Sequence, residues 1–368
     1  MKNISGAKFL LFIGMALLFI LTACGNSNDE ASGTNNTNNT STTTETNNTS
    51  ETDANNSNEA ETNEEGNATE EEATSEKLVI GFSQVGAESE WRTANTTSIQ
   101  DAITDAGHEL QFSDAQQKQE NQISAIRSFI SQEVDAIVFS PVVETGFETV
   151  LQEAKDADIP VFLADRAVDI EDDSLWVTFL GSDFIEEGRK AAEWLVDDMA
   201  DHEGDINIVE LQGTVGSAPA IDRKEGFEEI LADHSQFVIT QSQTGDFTRT
   251  DGKEVMESFL RSDGDNIDVL YAHNDDMAIG AIQAIEEYGL TPAEDIKIIG
   301  IDAVKGAFEA MAAGKMNVTV ECNPLFGPQL VELIEAHMAG EELEKRIAVE
   351  EDMYTMDQAK ELLDSREY

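Results

Sequence analysis

From Lys77 to Ala313 the sequence repeats one unit, a short apolar run of strand type followed by a segment of helical length. The runs at 78–82, 135–139, 160–164, 206–211, 269–271 and 296–301 are dominated by Val, Ile, Leu and Phe, and weaker ones lie at 108–111, 176–181 and 237–241. Helical segments are expected near 91–106, 119–132, 144–157, 184–199, 220–232, 249–261, 277–288 and 304–313. Continuous apolar runs are the pattern of strands buried on both faces, and strands alternating with helices call for βαβ units and parallel sheets. A single sheet of so many strands would be unusually large, so the chain is expected to fold as α/β with two Rossmann-like lobes and a hinge. The N-lobe is expected at about 77–181 and 324–350, and the C-lobe at about 182–323 and 351–368. The segments 318–322, 327–338 and 348–368 would cross back between them.

In open α/β sheets, ligands bind beyond the carboxyl ends of the strands. Glu88, Trp91 and Arg92 follow the first run here, and Asp165 and Arg166 follow 160–164. In the second half Arg223 falls at the opening of the helix after 206–211, Asp246 and Phe247 follow 237–241, Asn274 follows 269–271 and Asp302 follows 296–301. Planar Asp, Glu, Asn and Arg groups can each bond two neighbouring hydroxyls, and aromatic rings can cover C–H faces, which is what a sugar ring requires. Each residue also has a plainer role: Trp91 as core, Arg92 as a solvated helix-face residue, Asn274 and Asp302 as helix caps. The Asn274-Asp275-Asp276 run carries acids but is not expected to hold a metal, and no cofactor is expected.

The N-terminus reads as a targeting segment. Lys2 and Lys8 lead into the apolar stretch 9–21, too short for a comfortable membrane span, and Leu21-Thr22-Ala23-Cys24 follows. A small-residue run ending in cysteine resembles the bacterial lipobox, which implies removal of 1–23 and lipidation of Cys24. Residues 25–76 hold 13 acids, no Lys or Arg, and no aromatic or large aliphatic residue. Such a stretch cannot bury enough apolar surface to order itself, so 24–76 is expected to be a lipidated Cys followed by a disordered acidic tether on the outer face of the cell membrane. Cys322 is the second of two cysteines, leaving no internal disulfide if Cys24 is acylated.

Net charge is −53; without the 13 tether acids and the two leader lysines, −42 remains on 77–368. That field repels nucleic acid and anionic lipid. It also suits an owner living in salt, because screening relieves self-repulsion. Unfolding followed against sodium chloride should therefore show stability rising with salt; a protein most stable at low salt would contradict this.

The stretch Gly81–Gly86 with Glu88, Trp91 and Arg92, together with 116–129 (QQKQENQISAIRSF), 159–166 (IPVFLADR), 209–227, 242–259 and 271–285, resembles the ribose-type periplasmic sugar-binding family, and within it the galactofuranose binders. The likeness spans about Leu78 to Ile301 and thins beyond Asp302. It implies the type I periplasmic binding fold, closing on one monosaccharide and delivering it to an ABC permease and ATPase complex, as a monomer and without catalysis. Carried over position by position, the family's sugar contacts fall on Glu88, Arg92, Asp165, Arg166, Arg223, Asn274 and Asp302, with Trp91 and Phe247 where aromatics stack. Cys322 stands where ribose binders carry a polar Gln, and the acidic tether with its anchor is a further departure.

Among rival readings, a repressor sharing these lobes would need a basic helix-turn-helix ahead of Leu78. A glycosidase would use Glu88 and Asp165 as paired carboxylates, but arginines beside them favour the ionised form of both and leave no proton donor. A sensor passing its sugar to a kinase or chemoreceptor would share the same sequence features.

Overall fold

The computed structural model describes residues 77–368; the leader, Cys24 and the acidic tether lie outside the described residues. The first half runs β1 (Val79–Gln84), α1 (Glu90–Asp105), β2 (Glu109–Asp114), α2 (Gln119–Ser131), β3 (Ala136–Phe139), α3 (Glu148–Asp156), β4 (Val161–Ala164) and β5 (Phe179–Gly181). Then come α4 (Phe184–Asp198), β6 (Ile206–Gln212), α5 (Ala218–Leu231), β7 (Phe237–Thr244), α6 (Arg249–Asp263), β8 (Val269–Ala272), α7 (Asp275–Tyr288), β9 (Lys297–Asp302), α8 (Lys305–Ala312) and β10 (Val318–Glu321). The chain ends with α9 (Gly327–Met338), β11 (Arg346–Ala348), β12 (Met353–Thr355) and α10 (Met356–Leu362).

Two six-stranded sheets result, ordered β11-β5-β4-β3-β1-β2 and β12-β10-β9-β8-β6-β7. Their strands pair in parallel except β12, which runs antiparallel to β10, so the second sheet is mixed at that edge. The central strands β3, β4 and β8 are buried at every position, because helices cover both faces of each sheet and leave no side for polar residues. The chain passes between sheets at Ser182–Asp183, Cys322–Phe326 and Val349–Asp352.

Several expected boundaries move. The run 176–181 forms a strand over Phe179–Gly181 alone, and the carbonyl of Trp176 is taken by the Lys345 ammonium. Helix α3 begins four residues later than 144, after a turn in which Gly146 sits at φ 87°. Among the described residues no helix is long and apolar enough to cross a membrane.

Candidate functional site

The carboxyl ends of both sheets face one cavity. Nine of the ten residues singled out at strand ends line it: Glu88, Trp91, Arg92, Asp165, Arg166, Arg223, Phe247, Asn274 and Asp302. Ser89, Phe184, Pro219 and Cys322 complete the wall.

On the N-terminal side, Ser89 caps α1 by accepting from the Arg92 N–H, which fixes the first turn and aims Arg92 across the strand ends. Arg92 Nε donates to Glu88 Oε1 at 3.0 Å, and its Nη1 donates to Asp165 Oδ2 at 2.6 Å and to Gln84 Oε1 at 3.3 Å. Burial works against the Arg92 charge, but the Asp165 and Glu88 carboxylates outweigh it and raise its pKa. Arg166 has no comparable partner. Its Nη1 reaches the Val142 carbonyl at 3.3 Å while Asp165 and Glu88 stand 3.7 and 3.8 Å away, and burial with Arg92 nearby pulls its guanidinium down to about 10. Glu88 Oε2 and Arg166 Nε are buried with no hydrogen-bond partner in the protein. A lone buried donor or acceptor costs about 1–3 kcal/mol, so this pair marks where a molecule carrying hydroxyls would fit.

Arg223 organises the other side. It lies in the second turn of α5 and does not open it, because the helix begins at Ala218. Its Nε donates to Glu187 Oε2 at 2.7 Å, its Nη1 to the His273 carbonyl, and Asp302 stands 3.6 Å from Nη2. Burial drives the Asp302 pKa well upward, with Arg223 opposing. The Phe247 ring lies between the two halves of the site, with the Arg166 guanidinium 5.4 Å from its centroid and that of Arg223 6.0 Å away. It fits only because residue 213 is glycine; a Cβ there would come within 1.9 Å of the ring. Asp246 turns away and pairs with the Thr244 hydroxyl, so of that dipeptide Phe247 alone reaches the cavity.

Two of the plainer roles, those of Trp91 and Asn274, prove compatible with lining the site, while Arg92 is buried and not solvated. Asn274 caps α7 by accepting from Met277 N–H, while its Nδ2 donates to the Phe247 carbonyl. Trp91 belongs to the core, and its Nε1 donates to the Cys322 carbonyl at 2.5 Å. Asp302 caps nothing: Val304 occupies that place, and its N–H donates to Asp275. Three wall residues hold left-handed backbones, Asp165 at φ 67°, Phe247 at 63° and Asp302 at 125°. Such conformations cost of order 1–3 kcal/mol each for non-glycine residues and gather at working sites.

A family model described as periplasmic binding protein domain matches residues 80–342. The chain belongs to that family. The galactofuranose-binding protein YtfQ of Escherichia coli (strain K12) is 48% identical over 297 residues, covering 80% of this chain and 93% of that one. A Mycobacterium smegmatis crystal structure in complex with β-D-fucofuranose is 54% identical with a TM-score of 0.77, over 79% of this chain and 95% of the other. The periplasmic binding protein component of the arabinose ABC transporter from Shewanella sp. ANA-3, bound to α- and β-L-arabinofuranose, is 47% identical with a TM-score of 0.76, over 78% and 95%. Like its family, this chain is an extracytoplasmic binding protein and not an enzyme. The β1, β4 and β9 ends of this periplasmic binding protein supply Glu88, Asp165 and Asp302 to the cavity.

Sequence reasoning missed Phe184, Ser89, Pro219 and the carboxylate that holds Arg223. A signal existed for the last, since Glu187 lies one helical turn after Phe184 on α4 and both face inward. Also unread was the carboxylate at the chain crossings. Glu351 Oε1 accepts from Ser182 Oγ at 2.5 Å and from Asn323 N–H at 2.8 Å, so one side chain joins all three crossing segments. Burial and the nearby Glu187 carboxylate push the Glu351 carboxyl up to about 9 from an ordinary 4.5. The folded protein therefore keeps a proton that the unfolded chain releases above about 4.5. Stability from this group is present in full below that pH and is lost as pH rises through about 9. Thermal unfolding between pH 5 and pH 9 should show this decline, and Glu351→Gln should flatten it; an unchanged slope in the variant would assign it elsewhere.

Proposed function

We propose that this protein captures one monosaccharide, galactofuranose or a similar furanose, between its two lobes and delivers it to an ABC-type importer. The observation that carries the reading is the pair of buried, unpartnered atoms, Glu88 Oε2 and Arg166 Nε, in one cavity beside Phe247. A hydroxyl donates to the first and accepts from the second, and a ring face rests on an aromatic plate. The furanose preference is supported by the relatives, where galactofuranose, fucofuranose and arabinofuranose recur at 47–54% identity.

Both lobes would grip the sugar, so closure follows from its higher affinity for the closed arrangement. The nine residues named above are the proposed sugar contacts, and the lobe limits proposed from sequence, about 77–181 with 324–350 and 182–323 with 351–368, are consistent with the two sheets. The working form would be a monomer, held at the outer face of the membrane by a lipid on Cys24.

Calorimetric titration against pentoses and hexoses, furanose formers included, tests the reading: one sugar should bind at one site per chain, and silence across the panel would overturn it. For the anchor, Cys24→Ser should move the protein from the membrane to the soluble fraction with its sugar affinity unchanged. Retention of the variant at the membrane would refute lipidation at that residue.

A further inference from the structure

The chain crossings hold a second constellation, in which Glu187 and Glu351 lie outside the sugar cavity and Cys322 is shared with its wall. Sγ of Cys322, one carboxylate oxygen of Glu187 and one of Glu351 lie within 4.8 Å of one another. Cys322 and Glu187 are each about 1% exposed, and Glu351 reaches the surface in part. Arg223 holds Glu187 Oε2 at 2.7 Å, which leaves Glu187 Oε1 buried and unpartnered. Three acidic donors packed against one guanidinium are costly unless protons or a cation neutralise them.

We propose that Glu187, Cys322 and Glu351 form a binding site for a divalent cation of the zinc or cadmium class. One thiolate with two carboxylates is a donor set that zinc accepts. Calcium and magnesium ask for six or more oxygen ligands, which this group does not offer. Charge stays balanced on binding: the thiol of Cys322 and the carboxyl of Glu351 each release a proton to solvent as the doubly charged ion enters, and Arg223 keeps its bond to Glu187. Partly exposed Glu351 gives the ion a way in. Metal–ligand bonds of about 2.0–2.3 Å draw the three donors closer than they now stand. Because the donors come from α4, the end of β10 and the segment before β12, the ion would cross-link the hinge.

The test uses the full chain carrying Cys24→Ser, in which Cys322 is the one remaining thiol. Titration with Cd²⁺ alone should give a saturable thiolate-to-cadmium charge-transfer absorption at one ion per chain, displaced by Zn²⁺. Calorimetry in buffers of different ionisation heat should find about two protons released per ion. Adding Cys322→Ser should abolish the absorption, and Glu351→Gln should weaken binding at least tenfold. No thiolate absorption in the Cys24→Ser parent would overturn the site whatever the variants do. So would cadmium binding of equal strength in the Cys322→Ser chain, which would assign the ion to surface carboxylates.

Discussion

Asp165→Ala should weaken sugar binding by roughly 30- to 700-fold, about 2–4 kcal/mol, in calorimetric titration with the sugar that the panel identifies. Asp165 Oδ2 accepts from Arg92 Nη1 at 2.6 Å and from Ser140 Oγ at 3.0 Å, so truncation releases the group that positions Arg92 and removes an acceptor facing the cavity. Alanine at this position also leaves Arg92 with Glu88 as its single close carboxylate and removes one of the two anions that offset the Arg92–Arg166 repulsion. A folded variant with wild-type affinity would remove Asp165 from the site.

Arg223→Met should lower unfolding free energy by about 3–5 kcal/mol and abolish sugar binding. The side chain is buried, and taking its charge away strands Glu187 and Asp302, whose carboxyls burial already disfavours as anions. Methionine fills comparable volume against Phe184 and Phe247, so lost packing is a minor part of the change. Urea unfolding checks it, and the loss should be larger at pH 8 than at pH 5, since the stranded acids can take up protons at the lower pH. Stability within about 0.5 kcal/mol of wild type would show that the ion cluster is not structural.

The alternation that made the fold legible worked because buried parallel strands must be apolar on both faces, so β3, β4 and β8 stand out in the sequence. Edge pieces were harder. β11 and β12 are three residues each, too short for a periodic signal, and the antiparallel turn of β12 depends on where the third crossing delivers the chain. The nine candidate residues could be placed at one mouth because strand direction sends every carboxyl end the same way. Their pairing could not be placed. That Arg92 would bind Glu88 and Asp165 while Arg166 kept a free Nε depends on the left-handed turn at Asp165, and nothing in a one-dimensional string marks a non-glycine residue for φ 67°. Contacts across the mouth were equally hidden: Arg249 meets Glu90 at 2.7 Å from 159 residues away, and Asp276 accepts from the Glu90 N–H at 2.8 Å.

One carboxyl group fastening Ser182, Asn323 and its own strand connection has a mechanical corollary. Under the proposed closure, three covalent straps tied to a common knot would let the halves swing like jaws about Glu351 more readily than slide. The residence time of a captured molecule would then depend on the stiffness of that knot as much as on the grip at the mouth, and substitutions behind the cavity would change release without ever touching what is held.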